Sequence, residues 1–306
     1  MPTATEFFGF TALNYGPLTT TYTAPASCAT RINYPLIVNA TSPYPIVALP
    51  VCSVEPYGDC LPSGKEWESS DQQTSTFFQG TLVYYSPGIA CPAGWETVGL
   101  LAHDEGSKFS ASGVLATPAT TYTGMPRAVE VTEFWKNILD KSETLAYCCP
   151  SGYQGDENGG CMSTLGPVTS YTYSEHCSIY GNGDKLTIIS SVDGLTYSEG
   201  IISLMEPTRA LAYTTTMVDL EEVVGETKNG FSDLMVATWV PVVPLVYRQS
   251  DTGKKEEDND ESGTGTATAT GEGGNDNAAS TPPRQGLVSL LGLMLGVLVC
   301  TGMLCF

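Results

Sequence analysis

The sequence predicts a mainly β protein, a disulfide-stapled antiparallel sandwich or distorted barrel with one short helix. A disordered stalk and a C-terminal hydrophobic helix follow. Three observations carry this reading. Short runs alternate apolar and polar residues beside Asn-Gly and Asp-Gly dipeptides. Eight cysteines, Cys28 to Cys177, sit among Pro-, Gly- and Tyr-rich turns. The last twenty-one residues, Gly286–Phe306, carry no charge.

Taken along the chain, residues 1–27 read as an N-terminal extended segment and 28–250 as a cysteine-rich β domain. An acidic, Gly/Thr-rich disordered stalk follows over 251–285, and a hydrophobic membrane segment or anchor signal over 286–306. Lys185–Val192 alternates Leu186, Ile188, Ser190 and Val192, and Leu211–Asp219 alternates Leu211, Tyr213, Thr215 and Met217. Asn182-Gly183 and Asp193-Gly194 supply the positive φ of two-residue hairpins, so Tyr171–Tyr197 is predicted to be a three-stranded antiparallel meander. Thr81–Tyr85, Thr144–Cys148 and Leu234–Val240 are further strands. Val131, Phe134, Trp135, Ile138 and Leu139 fall at helical spacing and place a short amphipathic helix over Val131–Lys141. Trp135 there reads as core.

The domain cysteines are Cys28, Cys52, Cys60, Cys91, Cys148, Cys149, Cys161 and Cys177. Their even count suits four disulfides, with 105 possible pairings. Cys148 and Cys149 are adjacent, so in a strand they point to opposite faces and should take different partners. A zinc site would need paired C-x2-C spacing, which is absent, and only His103 and His176 offer imidazole. No metal or cofactor is expected. Free buried thiols in a cytosolic domain are the competing reading.

Three of the cysteine turns repeat a Cys, Pro, small, Gly order: Cys60-Leu61-Pro62-Ser63-Gly64, Cys91-Pro92-Ala93-Gly94-Trp95 and Cys149-Pro150-Ser151-Gly152-Tyr153. Pro fixes φ and Gly permits a left-handed turn, so each is a rigid corner. Tyr84-Tyr85-Ser86-Pro87-Gly88 leads into the second, and Cys148 precedes the third. With Gly16-Pro17-Leu18-Thr19-Thr20-Thr21 and Leu245-Val246-Tyr247-Arg248-Gln249-Ser250-Asp251, these motifs span most of the domain. In them the chain resembles an uncharacterised cysteine-rich cell-surface family of filamentous fungi. The resemblance implies an extracellular domain, a Ser/Thr-rich linker and one membrane segment, with no catalytic residue to carry over. Members often have a basic tail after the span, and none follows here.

The tail contains seven Leu and three Val. As a helix it would measure roughly 31 Å, enough to cross a bilayer core of about 30 Å. Asn277-Ala278-Ala279 offers the small triplet of a glycosylphosphatidylinositol attachment site, with Ser280–Gln285 as a short polar spacer. Asn277 is the expected attachment residue; Gly274, Ala278 and Ser280 are alternatives. A retained span, with Gly292 and Gly296 as a packing pair, is the other reading. Met1–Thr30 carries no basic n-region or apolar h-region, so a secretory leader is absent as written. Either a leader is encoded upstream, or the chain enters by its C-terminal segment. Asn39-Ala40-Thr41 is the one N-glycosylation sequon, and Thr264, Thr266, Thr268 and Thr270 are O-glycan acceptor candidates in the stalk.

Thirteen Lys+Arg against thirty-three Asp+Glu give a net charge of −20, which disfavours nucleic acid and anionic headgroups as partners. Lys254-Lys255 sits beside Glu256, Glu257, Asp258 and Asp260. No G-x-S-x-G or Walker A occurs, and Gly181-Asn182-Gly183 reads as a turn. Asp258-x-Asp260-x-Ser262-Gly263 is half a calcium loop, but Ala269 stands where the bidentate Glu belongs. Glu221-Glu222 could do glycoside chemistry only in the right spatial setting. A structural or adhesive cell-surface protein without catalysis is the leading expectation, its partners the membrane and cell-wall polysaccharide. A carbohydrate-binding module is the first alternative. A wall-modifying glycoside hydrolase, with two carboxylates beside Trp67, Trp95 or Trp239, is the weaker one.

Overall fold

The computed structural model describes residues 1–30, 34–39, 46–53, 57–62, 80–117, 129–156, 158–181, 185–192, 194–205, 213–224 and 230–253. In chain order the strands and helices are β1 (Glu6–Phe7), β2 (Phe10–Asn14), β3 (Tyr34–Asn39), β4 (Ile46–Ala48), β5 (Gly80–Tyr84), β6 (Trp95–His103), β7 (Phe109–Gly113) and α1 (Val131–Ile138). They continue with β8 (Glu143–Pro150), β9 (Gln154–Gly155), β10 (Gly160–Pro167), β11 (Glu175–Gly181), β12 (Lys185–Val192), β13 (Leu195–Met205), β14 (Tyr213–Asp219), α2 (Leu220–Val224), β15 (Leu234–Pro241) and β16 (Val243–Arg248). The fold is mainly β, as the alternating runs predict.

Two larger sheets share the main core. One runs β4-β3-β15-β10-β9, the other β16-β8-β6-β7, and both are antiparallel throughout. Leu36 and Trp239 from the first sheet meet Leu145, Tyr147, Val243 and Leu245 from the second in one buried cluster. Neither sheet closes on itself among the described residues, so of the two expected architectures the barrel is not formed.

The five-stranded sheet is covered on both faces. Opposed residues of an antiparallel pair share a face. Leu36 and Ala237 are opposed and enter the main core, whereas Ile37 and Val236 are opposed and enter a second, smaller cluster with Ala48, Val168, Leu220 and Leu234. This double burial explains why β3 and β15 read as nearly continuous apolar runs.

Residues 1–27, read as an N-terminal extended segment, contribute two strands to the fold. β2 pairs in parallel with β5, from Phe10 opposite Gly80 to Asn14 opposite Tyr84, and Phe7, Phe8 and Ala12 are buried. Two- and five-residue strands are too short to display a period, so this contribution escaped the sequence pattern.

α1 buries Val131, Phe134, Trp135 and Ile138. Trp135 is fully buried, and its Nε1–H donates to the Tyr147 hydroxyl at 2.8 Å. The helix stops three residues before the expected Lys141. Leu139 is already extended, and the Asp140 N–H is captured by Glu143 Oε2 at 2.9 Å instead of continuing the helical ladder. A second helix, α2, follows β14; the sequence expectation held only one.

The meander over Tyr171–Tyr197 forms only in part. β12 and β13 make the expected hairpin, with Val192 opposite Leu195 and Gly194 at φ +84°. The first strand pairs elsewhere: β11 matches β14 over seven positions, Glu175–Asp219 to Gly181–Tyr213. That long uninterrupted register outcompetes a turn-directed pairing with β12. The Asn182-Gly183 turn itself lies outside the described residues.

Candidate functional site

The short motifs that stand out in the sequence meet in one place. Tyr84–Gly88 runs between the Gly16–Thr21 stretch and β16. On one side Leu18 N–H donates to Pro87 O at 2.9 Å, and Ser86 N–H to Gly16 O at 3.0 Å. On the other, Tyr85 N–H donates to Pro244 O at 2.9 Å, Val246 N–H to Tyr85 O at 2.8 Å and Gly88 N–H to Val246 O at 3.0 Å. Gly88 is required by space, because a Cβ there would stand 2.7 Å from Tyr85 O and 3.0 Å from the Leu245 side chain. The Tyr85 hydroxyl donates to Pro62 O, and Tyr22 donates to Asp59 O, tying in the Cys60 corner.

Two cysteine corners are tight turns of the expected kind. Trp95 N–H donates to Pro92 O at 3.0 Å with Gly94 at φ +77°. Tyr153 N–H donates to Pro150 O at 2.9 Å with Gly152 at φ +82°. Positive φ at the third position is what a type II turn demands, and an L-residue with a side chain resists it. Ser151 N–H donates to Gly94 O at 2.9 Å, so the two corners are fastened together. For the Cys60 corner, Ser63 and Gly64 lie outside the described residues.

All eight domain cysteines are paired: Cys28–Cys60, Cys52–Cys177, Cys91–Cys148 and Cys149–Cys161. Adjacent Cys148 and Cys149 take different partners, as strand geometry requires. His103 sits on β6 with Nδ1 2.8 Å from Leu139 O and its ring stacked on Phe109 at 4.1 Å; His176 is on β11. No group of three potential metal ligands occurs among the described residues.

One charged cluster was not foreseen. Glu143, at the start of β8, is wholly buried. Its Oε1 lies 3.3 Å from an Arg248 terminal nitrogen and 2.7 Å from the Met1 nitrogen, and the same Arg248 nitrogen is 3.6 Å from Asp140 Oδ2. Thr3 donates to Asp140 Oδ1 at 2.9 Å, and Arg248 N–H to Asp251 Oδ2 at 2.7 Å. A buried carboxylate without such partners would cost several kcal/mol, so these groups answer a desolvation problem. Only the pairing of β16 with β8, Arg248 opposite Glu143, brings the cation to the acid, and no local spacing announces it.

Glu221 and Glu222 are exposed on α2, where Asp219 Oδ1 accepts the Glu221 N–H at 2.9 Å. Trp239 is buried edge-on against Tyr34, Trp95 is half-buried beside exposed Glu96, and Trp67 lies outside the described residues. Burial pushes the Tyr34 phenol up to about 12 and raises Tyr147 further; Tyr84 is raised by burial and then by Glu143 and Asp140.

Comparison with known proteins adds no relative. No protein-family model, curated protein or solved structure matches the chain. The reading of its function therefore rests on its own residues. Asn39 ends β3, half-buried, opposite Leu234. Asn277 and the whole apolar tail lie outside the described residues, and no helix among the described residues is long and apolar enough to cross a membrane.

Proposed function

We propose that the chain is a non-catalytic structural or adhesive protein of the cell surface, held at the outer face of the membrane through its C-terminus. The resemblance to a fungal cysteine-rich surface family belongs to the same proposal. The observation that carries it is the use to which the motifs are put. Gly16, Leu18, Tyr85–Gly88 and Val246 contribute backbone hydrogen bonds, Gly94 and Gly152 turns, Cys60, Cys91, Cys148 and Cys149 disulfides and Arg248 ion pairs that fasten the chain to itself. Four disulfides persist in an oxidising compartment and are rare in the cytosol, which supports the extracellular side. The acidic surface and the Thr-rich stalk suit a solvated, wall-facing module.

The tail reading can be tested in the cell that makes the protein. An antibody to the domain is expected to label intact cells, and a phosphatidylinositol-specific phospholipase to release the label. Peptide mapping of the released protein should find nothing beyond Gln285. Labelling only after permeabilisation would overturn the surface assignment. A peptide from Gly286–Phe306 in the mature protein would establish a retained span instead.

A further inference from the structure

A sheet edge presents a row of unpaired backbone N–H and C=O groups, and folded proteins shorten, cover, charge or bulge such edges. Among the described residues, most edges of this fold follow that rule. β9 has two residues and β4 three. β16 is covered by Tyr85–Gly88, through the three backbone hydrogen bonds that link that segment to Pro244 and Val246. In the β12–β13 hairpin a register shift falls between Ile189 and Ser191.

β7 is the exception. It is the last strand of the four-stranded sheet and pairs with β6 from His103 opposite Phe109 to Gly99 opposite Gly113, with no register shift. No other backbone hydrogen bond reaches Phe109–Gly113 among the described residues. Ser110, Ala111, Ser112 and Gly113 are all exposed, and successive strand residues point to opposite faces, so both faces of this edge meet solvent. The run from Phe109 to Thr117 holds no proline and no charge, in a chain whose net charge is −20.

We infer that β7 pairs antiparallel with β7 of a second copy of this chain, joining the two four-stranded sheets edge to edge. Two observations select a second copy as the occupant. Strongly acidic molecules repel each other over most of their surface, and an uncharged edge is where two copies approach at least cost. The strand also complements itself. About a twofold axis at Ala111, Ser110 lies opposite the second copy's Ser112, twice, and the two Ala111 residues face each other. Serine pairs of that kind support an antiparallel ladder. Gly113, at φ +59°, turns the chain into Val114–Ala116 and confines the contact to a few residues. Such an edge buries less than the ~800 Å² a side of a standard interface, so the pairing is weak, with Kd roughly 100 µM. Confinement of many copies at one membrane raises their effective concentration and favours it there. The inference names a partner for the adhesive role proposed above and rests on that reading for its purpose, whereas the pairing itself is read in solution.

The test is sedimentation of the full chain in detergent, from micromolar to millimolar protein. The native chain should dimerise with Kd roughly 100 µM. Ala111→Lys and Ala111→Glu each set like charges face to face on the axis and should weaken association at least about fivefold. An equimolar mixture of the two variants should recover dimers at least as tight as the native ones, because Lys then faces Glu. Ala111 is exposed, so both variants should melt with the native chain. Amide exchange within Ser110–Ser112 should slow as the native protein is concentrated, a readout that needs no variant. A native chain still monomeric at millimolar concentration would overturn the inference. So would association that persists in Ala111→Lys, which would assign it to the apolar tail or another surface. Exchange at Ser110–Ser112 that ignores concentration while dimers form, or a mixture of well-folded variants that stays monomeric, would overturn it too. None of these results depends on where the protein resides, so failure of the surface assignment in the native cell would be seen separately.

Discussion

At the residue scale, burial decides the behaviour of the polar side chains. Tyr34 packs edge-to-face on Trp239 at 6.1 Å, and the apolar surroundings disfavour its phenolate. Burial pushes its pKa from the ordinary phenol value of 10.0 up to about 12. Below pH 10 both folded and unfolded chains hold the proton and the full stability is present. Between pH 10 and 12 the unfolded chain releases it and the folded chain does not, so stability falls by about 1.4 kcal/mol per pH unit for that side chain. Denaturant midpoints measured across this window should drop steeply, and Tyr34→Phe should flatten the slope. An unchanged slope in the variant would mean that Tyr34 ionises freely in the fold. Glu143 is also wholly buried, and Arg248 reaches it from the neighbouring strand at 3.3 Å.

At the scale of elements, the disulfides divide their work unequally. Cys149–Cys161 closes a sequence separation of 12 and joins β8 to the start of β10. Cys52–Cys177 spans 125 and ties β11, and through it β14, to the region after β4, where Cys177 N–H donates to Leu49 O at 2.6 Å. The Cys91–Cys148 bridge is nested within that span and shortens the effective loop. The dependence is logarithmic, so about 4 kcal/mol of loop entropy remains, against about 3 kcal/mol for the short loop. Replacing Cys52 and Cys177 with Ser should therefore lower the denaturant midpoint more than replacing Cys149 and Cys161. The reverse order would mean that packing around buried Cys149 and Cys161 outweighs the loop term.

The β12–β13 hairpin makes a second point about elements. Its strand bounds were legible at Lys185–Val192, yet its buried face was not. A register shift between Ile189 and Ser191 changes the parity, so Ile189 and Val192 pack on the core while Ile188 is 60% exposed. Alternation locates a strand, but a single bulge changes which residues face inward.

At the scale of the whole molecule, the main core draws on both large sheets, the small β1-β2-β5 sheet and α1. Such a shared core should open as one cooperative unit, while the two-stranded β12–β13 sheet has unpaired edges among the described residues. In native-state hydrogen exchange, amides of β8 and β15 should exchange at the global limit, and those of β12 and β13 should exchange with a lower opening free energy. Equal protection in all four strands would show that the hairpin is part of the same unit. The net charge of −20 acts on this scale too, favouring solubility and repelling other polyanions.

The chain's local chemistry determined much of this protein by itself. An alternating run located the strand at Lys185–Val192, a largely apolar run the one at Leu234–Val240, and helical spacing identified the buried face of α1. Pro and Gly fixed the turns at Gly94 and Gly152, and adjacency forced Cys148 and Cys149 apart. These features depend on neighbours within a few residues, so periodicity and backbone preference suffice to reveal them. The pairing of β11 with β14, the parallel contact of β2 with β5, the choice among 105 disulfide patterns and the meeting of Glu143 with Arg248 were decided only by the tertiary structure. Each joins residues far apart in sequence, where the winner is set by competing registers and by the cost of leaving buried charge or backbone unpaired.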